Sequence, residues 1–248
     1  MTTKGRKMKL GVLICDQVQE QLQAQFGDYP EMFNDIFARV DTQLDIHYFS
    51  AIDRQLPTDI DVCDCYITTG SRWGANDDQL WIRELEDFIH TLYTAGKGFV
   101  GICFGHQLIA KSLGGRVEKS SKGWGVGVAW SEIIETQSWM TPAKKDLALI
   151  VSHQDQITQL PAQTQILAGN SFCPYSMIRV GRHFLGIQGH PEFTSQYSLA
   201  LMDSRRDRIS ASTIDAATAT LSAEIDDTLT MEWLINFLKQ NTLQDQSG

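Results

Sequence analysis

The sequence predicts an α/β protein, a mainly parallel central sheet with helices on both faces, extended by a small antiparallel region and C-terminal helices. Three observations carry this. Up to Leu113, short apolar runs alternate with stretches of helical periodicity, the pattern of strands joined by right-handed crossover helices. The run Phe99-Val100-Gly101-Ile102 passes straight into a helical stretch through Cys103, which forces a sharp strand-to-helix turn. From Gly114 the pattern changes to short strands with turns, and beyond Phe193 it becomes helical again.

Residues 9–14 form the first strand, a near-continuous apolar run as expected where both faces are covered. Residues 16–30 carry few apolar anchors and include Gly27-Asp28-Tyr29-Pro30, so they read as a long loop or a loop with a frayed helix. Loops at the carboxyl ends of parallel strands tend to line active sites. Residues 31–40 place Phe33, Ile36, Phe37 and Val40 on one helical face, with Pro30 at its start. Strands follow at 44–49 and 62–69. Asp77 or Asp78 then caps a long helix that aligns Trp81, Leu85, Phe88 and Leu92 and ends before Gly96. The fourth strand delivers Cys103, and the next helix stacks Phe104, Leu108, Ile109 and Leu113 ahead of Gly114. Further strands are expected at 115–118, 125–130, 132–134, 147–151, 165–168, 177–180 and 184–188. Helices follow around Tyr197, Leu201 and Met202, over 214–221 and over 225–238. The charges at 203–208 read as a solvated face, and residues from Gln240 onward as a frayed tail.

Composition bounds the function. The chain has 248 residues, 42% hydrophobic and 21% charged, as in ordinary soluble globular proteins. No repeat or linker divides it, so residues 1–248 are expected to be one domain, with a catalytic core at about 9–193 and a helical extension at about 194–240. A net charge of −9 without any basic run argues against a nucleic-acid partner. No stretch approaches the roughly 20 apolar residues of a membrane span, and the basic residues 1–8 precede an apolar run too short for a signal peptide. Five cysteines without framework spacing fit a reducing cytoplasm. Cys63 and Cys65 read as buried strand thiols; no metal or cofactor is called for.

Chemistry concentrates at Cys103. Gly101 and Gly105 flank it at i−2 and i+2, where a Cβ would collide as the chain reverses, and the amides opening the following helix favour negative charge. A cysteine nucleophile needs a base and a group that orients the base. Among six histidines, His190 is best placed, because Gly189-His190-Pro191-Glu192 begins where a strand ends. Glu192 lies two residues on in an extended stretch and so points the same way as His190. Gly70, just past the third strand, either turns the chain or turns amides outward to bind an anion next to Cys103.

These residues resemble a known family. Gly101-Ile102-Cys103-Phe104-Gly105-His106-Gln107 and Gly186-Ile187-Gln188-Gly189-His190-Pro191-Glu192 are similar to the two signatures of class I glutamine amidotransferases, over about residues 10–193. Gly70-Ser71 resembles the family's oxyanion loop, and Val151-Ser152-His153-Gln154-Asp155 a segment of the GMP synthetase glutaminase. The 27–30 loop and the helical end resemble stand-alone members, including plant γ-glutamyl peptidases. The resemblance implies a flavodoxin-like fold and a Cys103-His190-Glu192 triad acting through a γ-glutamyl thioester. It implies Ser71 and Phe104 as oxyanion donors, and Gly70, Gln107, His153 and Asp155 beside the substrate, although His153 could equally be structural.

The implied reaction is hydrolysis of the γ-amide of glutamine, releasing glutamate and ammonia for a separate synthase subunit, since no Gly-x-x-x-x-Gly-Lys-[Ser/Thr] loop is present. The alternative is a γ-glutamyl peptidase without nitrogen transfer; a non-catalytic regulatory protein is the third reading. Two departures from the family pattern matter. Ser71 stands where a second glycine is usual, and Gly189 stands where an aromatic residue is common, which predicts extra room beside His190 for a leaving group larger than ammonia.

Overall fold

The structure, a computed structural model, describes residues 6–245. Strand β1 (Lys9–Ile14) leads through α1 (Glu20–Phe26) and α2 (Tyr29–Val40) to β2 (Asp45–Ser50). A short 3-10 turn precedes β3 (Cys65–Thr68), followed by α3 (Leu80–Thr94), β4 (Gly98–Ile102) and α4 (Phe104–Ser112). Then come β5 (Arg116–Lys119), β6 (Gly125–Ile133), β7 (Asp146–His153), β8 (Asp155–Gln159), β9 (Thr164–Gly169), β10 (Met177–Val180) and β11 (Phe184–Ile187). Helices α5 (Ser195–Asp203), α6 (Ala211–Thr220) and α7 (Asp227–Asp245) follow.

Nine strands form one sheet in the order β2-β1-β3-β4-β11-β10-β9-β6-β7. The first five are parallel, and β10, β9, β6 and β7 continue the sheet in antiparallel fashion. Strands β5 and β8 pair separately. Alternating side chains feed two cores. Leu10, Val12, Val100, Ile102 and Leu185 pack with α2, α5 and α7, while Leu13, Phe99 and Phe184 pack with α3 and α4. No helix among the described residues is long and apolar enough to cross a membrane.

Several elements depart from the sequence expectation. Residues 20–26 are a formed helix. It is followed by a capping box in which the Asp28 carboxylate accepts the Tyr29 N–H and Glu31 accepts the Asp28 N–H, so α2 begins at Tyr29. Neither Asp77 nor Asp78 caps α3; the N-cap is Gln79, without a side-chain bond. Asp77 instead accepts the Gly74 N–H at 2.9 Å and closes the preceding turn, while Asp78 pairs with Arg83. Residues 125–130 and 132–134 fuse into the single strand β6, because buried Ser131 accepts a hydrogen bond from Asn170 Nδ2 at 3.0 Å and no polar break results.

Strand β8 had offered one apolar anchor, Ile157, which packs opposite Val117 of β5. Its polar remainder hid it. Helix α7 continues past Gln240 to Asp245, with Asn241 buried and donating to the Phe237 carbonyl at 2.9 Å, so no frayed tail begins at Gln240. Residues 1–5 and 246–248 lie outside the described residues. Cys63 and Cys65 are both buried, but only Cys65 lies on a strand; Cys63 sits in the bend before β3, just past the 3-10 turn.

Candidate active site

Parallel pairing of β4 with β11 sets the site. Gly101 lies opposite Gly186 and Ile102 opposite Ile187, and the Cys103 N–H donates to the Ile187 carbonyl at 2.8 Å. The two strands therefore end level, and what each delivers next meets at one sheet edge. Cys103 itself sits at φ +49°, ψ −94°, a region that costs a non-glycine residue about 1–3 kcal/mol. The strain aims the side chain off the sheet at the start of α4.

The flanking glycines are close-approach positions. A Cβ on Gly101 would lie 2.4 Å from the Gly105 carbonyl carbon, and one on Gly105 would lie 1.8 Å from Thr68 Oγ1. That oxygen also accepts the Ile102 N–H at 3.3 Å, so Thr68 is held in place. Gly105→Ala is accordingly expected to destabilise the protein by about 2 kcal/mol or more, read as a lowered midpoint in urea unfolding. An unchanged midpoint contradicts the packing described.

From β11, the chain carries His190 back along β7, where its N–H donates to the Ile150 carbonyl at 2.8 Å. The His190 ring lies flat on Phe193, with centroids 4.0 Å apart and planes 4° apart. Its Nδ1 is 2.8 Å from Glu192 Oε1, and its other edge meets the Cys103 thiol. All three side chains are buried. Burial alone would lower the His190 pKa, but the charges of Glu192 and then Cys103 outweigh it and push it up to about 10. The Glu192 carboxylate thus favours the protonated form of the ring.

Gly70 and Ser71 follow β3, and a Cβ on Gly70 would touch His190 Cε1 at 2.6 Å. The next residue, Arg72, is clamped by buried Asp16, which accepts the Arg72 N–H at 2.7 Å and its Nε at 2.8 Å. Among the described residues, no acceptor takes the Ser71 N–H. The Phe104 N–H opens α4 and has no preceding turn to bind. Both residues line a cavity of about 440 Å³ together with Cys103.

Gln107, His153 and Asp155 line the same cavity, on one wall tied together. Gln107 Nε2 donates to the Asp155 carbonyl at 2.9 Å, and His153 Nδ1 is 3.0 Å from that same oxygen. Burial keeps His153 neutral by pulling its pKa down to about 4. The same effect, opposed by Lys119, raises the Asp155 pKa. Every sequence-predicted site residue thus reaches this one cavity or the His190 ring beside it.

Three residues escaped the sequence reading. Gln188 Nε2 donates to Cys103 Sγ at 3.4 Å while its Oε1 accepts from Gln107 Nε2 at 3.2 Å, so the amide ties the sulfur to the helix that follows it. Its place one residue before Gly189 was the available signal. Asp16, the clamp of the Ser71 loop, lies two residues past the end of β1. Arg205, read as part of a solvated face, is buried and lines the cavity. The room expected beside Gly189 is absent, because a Cβ there would lie 2.8 Å from Leu149 Cβ and the Leu149 side chain already fills the space. Space for a leaving group lies in the main cavity instead.

Residues 72–201, which include Cys103, His190 and Glu192, match the family model of glutamine amidotransferase class-I. The chain belongs to that family. Within the class I glutamine amidotransferases, it is 31% identical to γ-glutamyl peptidase 3 of Arabidopsis thaliana over 206 residues, 80% of this chain and 81% of that protein. It is 39% identical over 111 residues to the glutamine-hydrolysing GMP synthase of Chromobacterium violaceum, which covers 42% of this chain but 21% of the synthase. A glutamine amidotransferase of Thermotoga maritima shares the fold, with a TM-score of 0.73 at 16% identity, covering 96% of this chain and 99% of that one. This class I amidotransferase fold, a mainly parallel sheet between helical layers, is the architecture the sequence predicts.

Proposed function

We propose that this chain, acting as one class I glutamine amidotransferase-like domain, hydrolyses the γ-amide of γ-glutamyl compounds through a thioester on Cys103. The observation that carries the reading is His190 held between the Glu192 carboxylate at 2.8 Å and the Cys103 thiol. An imidazolium beside a thiol favours thiolate, the attacking form. Attack on the γ-carbonyl carbon forms the C–S bond and places negative charge on oxygen, to which the Ser71 and Phe104 amides donate hydrogen bonds. His190 gives its proton to the departing nitrogen as the C–N bond breaks. It then takes a proton from water, which attacks the thioester and releases glutamate and the thiolate. Glu192 holds the ring in one tautomer throughout. Gly70 packs the loop against His190, and Gln107, His153 and Asp155 form the wall that receives the glutamyl portion.

Glutamine is the smallest substrate of this chemistry, and its ammonia would serve a separate synthase subunit. A second reading, a γ-glutamyl peptidase, is favoured by the 440 Å³ cavity, roomier than ammonia requires, and by the similarity to plant γ-glutamyl peptidases over most of both chains. The two are separated by supplying the protein alone with glutamine or with γ-glutamyl dipeptides and measuring ammonia or amine release. Faster turnover of dipeptides is the expected result. Dipeptides left intact while glutamine is hydrolysed would instead favour the amidotransferase with a synthase partner, and no turnover of either contradicts the proposal.

A further inference from the structure

Arg205 is a buried cation without an anion. It lies in the turn after α5, beyond the residues that match the family model, and is 8% exposed. Its neighbouring acids are taken: Asp203 pairs with Arg206 at 2.5 Å and Asp207 with Arg208 at 3.8 Å. Arg205 Nη1 donates to a neutral partner, Ser152 Oγ, at 2.8 Å, and the guanidinium lies 5.7 Å from the Trp124 ring centroid. Its Nε is buried and finds no acceptor, and no carboxylate pairs with it, among the described residues. Withdrawing a guanidinium from water without a counter-ion is costly, and a ligand anion would offset that cost.

The position of Arg205 says which anion. It lines the Cys103 cavity and also a narrower cleft that runs along the His190 ring past Phe193 and Tyr197. The glutamyl wall of Gln107, His153 and Asp155 borders the main cavity and does not reach that cleft. His190 must face the departing nitrogen to protonate it, so whatever that nitrogen carries extends on the His190 side, toward Arg205. We propose that Arg205 is a specificity-determining residue that binds a carboxylate on the leaving amine, selecting γ-glutamyl amino acids over γ-glutamyl amides with neutral leaving groups. This rests on the γ-glutamyl reading above. Ser152 and Trp124 hold the guanidinium at the cavity wall, where it supplies the positive charge and N–H donors that a carboxylate needs.

Binding to the Cys103→Ala protein tests this without turnover. Calorimetric titration with γ-glutamylglycine and with γ-glutamylglycinamide, which differ in the one leaving-group charge, is expected to show the acid binding about 10- to 100-fold tighter. Adding Arg205→Met should bring the two affinities together, and Arg205→Lys should restore part of the preference. Equal affinities in the Cys103→Ala protein, no measurable binding of either ligand, or a preference that survives Arg205→Met would each overturn the assignment. So would Arg205→Met weakening both ligands alike, which would put the glutamyl carboxylate on Arg205. The first comparison changes only the ligand, so misfolding of an Arg205 variant does not decide it. A preserved acid preference with an inert wild-type protein would refute the proposed reaction and leave the Arg205 assignment standing; the reverse pattern would refute Arg205 alone.

Discussion

Cys103→Ala is expected to reduce turnover of glutamine and of γ-glutamyl amides by roughly 10⁵- to 10⁶-fold while leaving the protein folded. In the proposed mechanism the sulfur supplies the bond that divides the reaction into acylation and deacylation, and no neighbouring group replaces it. Gln188, which touches it, is an amide, and His190 is engaged by Glu192. Alanine keeps the Cβ at the strained φ of +49°, so the elbow itself is retained. Initial rates with each substrate, alongside a thermal melt, measure both halves of the expectation. A folded variant that keeps a tenth of the wild-type rate would remove Cys103 from the chemistry.

Glu192→Gln is expected to lower kcat by about 10³- to 10⁴-fold and to move the alkaline limb of the pH–rate profile downward. Burial pulls the His190 pKa down, and the Glu192 charge is the larger of the two that lift it to about 10. Removing that charge leaves burial less opposed, so the imidazolium is lost at lower pH. The same group links pH to stability. Its folded pKa lies above the unfolded value of about 6.5, so the stabilisation is fully present below pH ~6.5 and fades as the pH rises through about 10. The variant should lack that alkaline loss. A pH–rate profile and a series of melts across pH 6 to about 10 check both, and an unmoved limb would mean that Glu192 does not govern His190.

The parts of this site that were legible in the sequence are the ones that local covalent geometry dictates. Gly101 and Gly105 announce an elbow because only hydrogen fits within 1.8–2.4 Å of Thr68 and the Gly105 backbone. His190 and Glu192 were readable because a strand end and an extended two-residue spacing aim them together. What the sequence hid depends on partners far along the chain. Arg205 looks like one more surface charge until Ser152 and Trp124, 53 and 81 residues away, enclose it. Gly189 suggested open space, yet Leu149 on a neighbouring strand fills it. The α3 cap failed for a related reason, because Asp77 had a nearer donor in the Gly74 N–H. Strand β8 was obscured because only one of its residues anchors the pair.

The most direct test of a nucleophilic Cys103 is covalent labelling of the native protein with a glutamine-mimicking electrophile, followed by peptide mass mapping. The other cysteines are poor competitors: burial raises the thiol pKa of all four, Cys63 to about 11 and Cys173 to about 12, with Cys15 and Cys65 higher still. One label per chain, on Cys103 and suppressed by added glutamine or γ-glutamyl dipeptide, is the predicted result. A folded protein that remains unlabelled at Cys103, or that is labelled there at the same rate with and without substrate, would contradict it.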